Sequence, residues 1–332
     1  MAGSPTRALA SLLPLALTTA LALTIPTPAA RAAAPQTRTQ APGFYRMMLG
    51  DIEVTALLDG THPFPVHEVL TGVTMTETDE LLAAADLSAP VEGSINAFLI
   101  NTGTRLILID AGAGVLYGAD GGHLMANLRA SGYTPDQVDE IYLTHLHRDH
   151  VGGVDQAGRM AFPNATVRVN RRDADFWLNP ANKAKAPTFL GPMFDGAIDS
   201  LRAYVDADRV RPFDGEAQLD PVIQALPSPG HTPGHTAYRV RARDGQALLV
   251  WGDIVHVAAV QFADPTATVK YDSDGNAAAR ARDRLMAQAA QDGSWIAAAH
   301  IAFPGLGHVT RQDGTYRWLP ANYTTVGLTQ AR

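Results

Sequence analysis

The sequence predicts an α/β fold in which two sheets pack face to face and helices cover their outer sides. Three observations lead there. Strand-like apolar runs recur in both halves of the chain, helical periods separate them, and several runs end at a lone histidine or aspartate. With 332 residues, 46% hydrophobic and 18% charged, the chain can bury a full core as one large domain or two modest ones.

Taken in order, residues 1–32 read as a secretory signal peptide. They hold a lone Arg7, an apolar run from Ala8 to Ile25, and Ala30-Arg31-Ala32 as the cleavage site. Pro14 and the threonines weaken the run as an uncleaved anchor, and no Arg-Arg pair precedes it, which favours general secretion over twin-arginine export. The expected location is therefore periplasmic or secreted, without stable membrane association after cleavage. Residues 33–43 are Pro- and Ala-rich and read as a flexible lead-in, and residues 44–332 as the folded domain. Within that domain "DIEVTALLDG", "SINAFLINTG" and "TRLILIDAG" read as strands, the last two joined as a hairpin by a Gly-containing turn. "GGHLMANLRASGYTPDQ" has a helical period and stops at Gly132. "VDEIYLT" reads as a buried strand. In the second half "PVIQALPS", "TAYRVRA" and "QALLVWGD" are strand-like, and a helix over "NAAARARDRLMAQAAQDG" precedes a last strand, "WIAAAH". The Pro-rich "FWLNPANKAKAPTFLGPMF" reads as an irregular or short-helical insertion over one end of the sandwich.

The cluster "THLHRDH" places three histidines and an aspartate in seven residues, and such groups are costly to bury without a cation. If the strand continues through it, His145 and His147 share one face and can grip one ion, because strand side chains repeat with period two. Asp149 and His150 follow in a loop that can aim at a second ion, and Gly152-Gly153 lets the backbone bend away. Two ions need further ligands, and His231, Asp253 and His300 each follow an apolar run. There is no cysteine, so the ligands are nitrogen and oxygen only, a set that takes zinc, manganese, cobalt or iron.

This pattern resembles the metallo-β-lactamase superfamily, and "SPGHTPGHT", "WGDIVHVAAVQF" and "AHIAFPGLGHV" look most like its secreted methyl parathion hydrolase branch. The resemblance implies an αβ/βα four-layer sandwich with a dinuclear metal site at one edge of the sheets. It implies that His145, His147 and His231 hold one divalent ion, Asp149, His150 and His300 the other, both of them zinc in the first instance, with Asp253 bridging and Asp110 supporting the metal loop. A hydroxide shared by the ions would be the nucleophile. His256 stands where related lactonases carry a tyrosine and would assist the leaving group. Tyr117, Trp177 and Phe194 fall in segments that resemble the family's aromatic substrate wall. His62 and His67 are expected to be solvated, His123 to open a helix, and His235 and His308 to make loop hydrogen bonds, none of the five as a ligand.

The implied activity is hydrolysis of neutral esters: organophosphate triesters of the methyl parathion kind, lactones and aryl esters. A quorum-quenching lactonase acting on N-acyl homoserine lactones is the alternative, followed by a β-lactamase, which Asp253 argues against. A non-enzymatic metal-binding module is the rival from another class. Loss of residues 1–32 removes Arg7 and Arg31 and no acid, taking the formal charge from −7 to −9, which disfavours nucleic acid as a partner. A monomer and a homodimer both stay open.

Overall fold

The computed structural model describes residues 34–325 together with Met1 and Gly3, so all but those two residues of the expected export signal lie outside the described residues. Residues 34–42 are exposed and carry no helix or strand, and the first strand is Phe44–Leu49. From Gln40 onward the chain is one compact unit. No helix among the described residues is long and apolar enough to cross a membrane.

Two seven-stranded sheets form the centre. The first runs Phe44–Leu49, Ile52–Phe64, Val91–Asn101, Leu106–Ile109, Glu140–Tyr142, Thr166–Asn170 and Val210–Phe213, antiparallel over its first four strands and parallel thereafter. The second runs Thr315–Pro320, Leu306–Gln312, Trp295–Ala297, Ala247–Val250, Thr236–Arg241, Ile223–Pro227 and Ala217–Asp220. Its one parallel pair, Ala247–Val250 with Trp295–Ala297, is bridged by the helix Gly275–Asp292, as a parallel crossover requires.

Alternation along a strand explains the layers. Phe98 and Ile100 point between the sheets, where they meet Tyr238, Val240 and Leu248, whereas Ala97 and Leu99 point outward beneath the helices Leu124–Ala130 and Gly191–Asp206. Both faces are buried, so the strand is apolar throughout rather than alternating. On the far side Leu249, Trp251 and Ile296 pack against Ala281, Leu285 and Met286 of Gly275–Asp292. The order is helix, sheet, sheet, helix, as the sequence predicts.

Four details differ from the sequence reading. The strand "VDEIYLT" is only Glu140–Tyr142, so His145 and His147 lie on the loop beyond it, and Asp149 and His150 ride a one-turn helix, Arg148–Val151. "WIAAAH" is not the last strand, because Leu306–Gln312 and Thr315–Pro320 follow as a hairpin. His308 sits in the first of these against Trp295 rather than in a loop. The Pro-rich insertion is short-helical at Arg171–Trp177 and Pro180–Lys183, but its end starts the 16-residue helix Gly191–Asp206.

Candidate metal centre

The site gathers at the edge where the parallel strands of both sheets end. Hydrogen bonds tie the two sheets there: the Tyr238 hydroxyl donates to the Leu143 carbonyl at 2.6 Å, Thr236 N–H to the Thr144 carbonyl at 2.9 Å, and Asn96 N–H to the Ala299 carbonyl at 2.9 Å. Asp110, just past Leu106–Ile109, accepts from Thr144 N–H at 2.8 Å and from His150 Nδ1 at 2.8 Å, so it fixes the loop and one ring together. Gly152 and Gly153 are glycines for space, not for a left-handed turn. A Cβ would lie 2.1 Å from the Ala113 carbonyl oxygen at the first and 1.9 Å from that of Ala111 at the second.

Asp173 was not foreseen from the sequence. Its carboxylate accepts from Leu146 N–H, Thr232 Oγ1 and Gly234 N–H, and so clamps the His145–His147 loop to the His231 loop. Burial raises its pKa to about 6 against the pull of those bonds.

The hydrogen bonds decide which ring nitrogens are free. His150 gives its Nδ1 proton to Asp110, His231 to Asp272 at 2.7 Å, and His300 to the Ser94 carbonyl at 2.9 Å. The Thr144 hydroxyl donates to Asp110 and can therefore accept from His145 Nδ1 at 3.0 Å. Every Nε2 is left to face Asp253. His150 Nε2 is 2.9 Å and His300 Nε2 3.2 Å from Oδ1, while His231 Nε2 is 3.2 Å and His145 Nε2 3.7 Å from Oδ2. His147 turns Nδ1 to His231 Nε2 at 2.9 Å, and Asp149 Oδ2 stands 3.5 Å from His300 Nε2. Nε2 of His145 and of His150 and Oδ1 of Asp253 are buried and make no hydrogen bond.

Lone pairs aimed at a buried carboxylate repel unless a cation lies among them. The donor atoms of His145, His147, His231 and Asp253 lie within 4.8 Å of one another, and so do those of Asp149, His150 and His300. Two divalent ions fit these residues, with Asp253 within reach of both groups. A third grouping of the same span, Asp253, His256 and His300, admits His256 as a ligand as well as the proton donor the sequence suggests. The electrostatics express the same demand. Burial works to raise Asp253, yet His150, His300 and His145 outweigh it and hold the carboxyl well below its ordinary range. Burial would lower His231, but its bonds to Asp253 and Asp272 push it up to about 9, whereas burial and the neighbouring His150 keep His145 well below its ordinary value. A metal ion held by these residues would meet this demand in place of the protons.

Both ring nitrogens of His235 are engaged, and it does more than bond within a loop. It is fully buried, shares a hydrogen bond between Nδ1 and Ser228, and accepts the Asp253 N–H at Nε2 at 3.0 Å. Asp272, in a loop, and Asp173, on the short helix Arg171–Trp177, escaped sequence reading because each is a single polar residue without spacing to announce it, and so did the bond from the Asp253 amide to His235.

Above the cluster lies a cavity of about 400 Å³. Tyr117 lines it, as expected. Trp177 and Phe194 do not: they are 1% and 0% exposed and pack on each other at 4.6 Å within the outer core, with Trp177 edge-on behind His147 at 5.0 Å. Their area is taken by the hydrophobic layer under the helices, so they support a ligand rather than form a wall. The apolar wall is Phe64, Pro65, Ile95, Leu116, Met193 and Tyr271. His62, expected in solvent, also lines the cavity; it belongs to the strand Ile52–Phe64 and bonds to Asp120 at 2.7 Å. His67 bonds the exposed Asp79, and His123 directly precedes Leu124–Ala130 without a capping bond from its side chain.

Comparison with known proteins agrees with this geometry. The sequence profile of the metallo-beta-lactamase superfamily matches residues 90–300, and the chain belongs to that superfamily. A crystal structure of hydrolase AbOPH in the beta-lactamase superfamily superposes with a TM-score of 0.82 at 37% identity, over 86% of this chain and all of that one. AidC, a dizinc quorum-quenching lactonase solved with a product, superposes at 0.78 and 25% identity over 85% of this chain and 98% of that one. In sequence the chain is 33% identical over 135 residues to the N-acyl homoserine lactonase AttM of Azorhizobium caulinodans, 40% of this chain and 47% of that enzyme. The chain thus matches about half the length of this curated relative.

Proposed function

We propose that this protein is a metal-dependent hydrolase that cleaves neutral esters, lactones and aryl esters foremost, with phosphotriesters of the methyl parathion kind admitted by the same cavity. One observation carries the reading: two sets of closely spaced lone pairs meet around Asp253 on the floor of a cavity with apolar walls. The lactonase relatives support the lactone, and the motifs around His231, Asp253 and His300 support the triester.

Divalent ions held by these residues, zinc in the first instance, would supply the Lewis acidity that activates water and offsets charge building on the attacked oxygen. The chain's own residues do the rest. Asp110 and Asp272 fix the tautomers of His150 and His231. Asp253 holds the two ligand groups together. His256 lines the cavity beside Asp253, and we assign it delivery of a proton to the departing alkoxide. The apolar walls favour an uncharged group at the attacked centre, since no lysine lines the cavity and Arg148 is its one arginine.

The test joins elemental analysis to a hydrolysis panel of a triester, an aryl acetate, a lactone and a diester, with nitrophenol as leaving group where chemistry permits. Two ions per chain are expected, and the diester should be slowest by roughly tenfold or more, about 1.4 kcal/mol of transition-state binding. A diester that proves the best substrate overturns the neutral-ester reading. Export with cleavage near Ala32 is proposed with it, and the intact mass of protein taken from the periplasm or medium checks that.

A further inference from the structure

Arg148 takes no part in the chemistry above. It lies between the ligands His147 and Asp149, opens the helix Arg148–Val151 and lines the cavity. Its Nε is buried without a hydrogen-bond partner, and among the described residues it forms no ion pair. The adjacent carboxylate, Asp149, is engaged with His300 at 3.5 Å and His150 at 3.9 Å. A guanidinium half-buried among apolar walls with an unused N–H is costly unless something from outside completes it.

Its placement is built. The guanidinium carbon stands 5.0 Å from the centre of the Tyr117 ring, and the His62 ring packs 5.2 Å from that tyrosine. Gly196 sits inside the helix Gly191–Asp206, where glycine is unfavourable relative to alanine. A Cβ there would come 2.6 Å from Arg148 Cγ, so the helix gives up propensity to leave room for the arginine stem.

We propose that Arg148 is a specificity-determining residue that binds a second oxygen of the substrate, an acceptor other than the carbonyl under attack, and that Tyr117 and the gap at Gly196 aim it. This rests on the hydrolase reading above. The planar fork of a guanidinium suits an amide carbonyl or a carboxylate, and the two sources are separable by experiment.

Three γ-butyrolactones that differ at the α carbon provide the probe: one with a hexyl chain, one with a hexanoylamino group and one with a carboxypentyl chain. The metal-loaded wild type should prefer one of the oxygen-bearing lactones over the hexyl compound by roughly tenfold or more in kcat/KM, and the preferred one identifies the acceptor. Arg148→Met keeps the stem and removes every N–H. It should lose about 10–100-fold on the preferred lactone and less than about threefold on the hexyl lactone, at unchanged metal content. Arg148→Lys should fall between, and Gly196→Ala should act in the same direction by displacing the stem. Calorimetry with the matching γ-lactams, which bind without turnover, runs in parallel. If no lactone is cleaved but the favoured lactam binds wild type more tightly than Arg148→Met, the hydrolase reading falls and the role of Arg148 stands. Equal losses on all three lactones, or lactams that bind wild type and variant alike, overturn the role of Arg148.

Discussion

The two contributions to the candidate metal centre are built differently. His145, His147, Asp149 and His150 come from one continuous stretch, held by Asp110 at one end of the turn. His231, Asp253 and His300 come from three loops separated in sequence, each held by its own support: Asp272 behind His231, His235 under the Asp253 amide, and the Ser94 carbonyl behind His300. The first set is preorganised locally, whereas the second exists only when the sheets have packed. Damage to the contiguous set should therefore stay local in the fold, while damage to the dispersed set should reach both metal ion and scaffold.

The largest effect is expected at Asp253, which Nε2 of His145, His150, His231 and His300 all face. Asp253→Ala should lose at least one ion and lower turnover by at least about 10–100-fold, since ligand and supporting-residue losses fall in that range. Full double occupancy with normal turnover in that variant would sink the bridging assignment. Next comes acid sensitivity on the dispersed side. Burial first, then the neighbouring His231, lowers His235 from 6.5 to about 3. The folded state thus holds this ring neutral while the unfolded state takes a proton below 6.5, so its contribution is present above that pH and is lost as pH falls toward about 3. The whole window corresponds to on the order of 5 kcal/mol. His235→Gln, which can still bond to Ser228, should flatten the acid limb of a stability curve measured by denaturant titration. An unchanged limb would place the acid sensitivity elsewhere.

The supports themselves sharpen the contrast. Asp110→Asn frees both the Thr144 loop and the His150 ring, whereas Asp272→Asn frees only the His231 ring and the Val269 amide. Both should weaken metal affinity by about 10–100-fold, with Asp110→Asn the worse of the two by competition against a chelator. The reverse order would mean that the dispersed side governs affinity. The smallest effect belongs to His256→Ala, which should slow substrates with alkoxide leaving groups by several-fold more than nitrophenyl esters, because nitrophenolate departs without a proton. Equal losses across leaving groups would point to His256 as ligand or packing residue.

How much was legible follows the same division. The dense "THLHRDH" cluster announced itself because no solvated loop needs so many ligating groups, and His231, Asp253 and His300 stood out as polar groups after apolar runs. Asp110 came from resemblance and holds its expected place. The aromatic wall was read less well. Trp177 and Phe194 sit in the right segments, yet which side of a helix they occupy depends on the layer beneath it, and they went inward while Phe64, Met193 and Tyr271 faced the cavity. His62 keeps a side chain 41% exposed, as expected of a solvated residue, but it lies on a strand rather than in an irregular segment. In the fold it prolongs a 13-residue strand paired to its neighbour as far as Phe64.

By itself the sequence determined the alternation of strands and helices, the nitrogen and oxygen chemistry of the ligands, and the first four of them, because these depend on residue type and on spacing within a few positions. Only the tertiary structure decided the rest: that His145 and His147 leave the strand before they meet, that Asp173 joins two ligand loops, that His235 carries the Asp253 amide, and that Arg148 emerges beside Tyr117 through the gap at Gly196. Each of these is a contact between residues distant in the chain, and the free energy that selects it comes from burying neighbours that sequence order does not bring together.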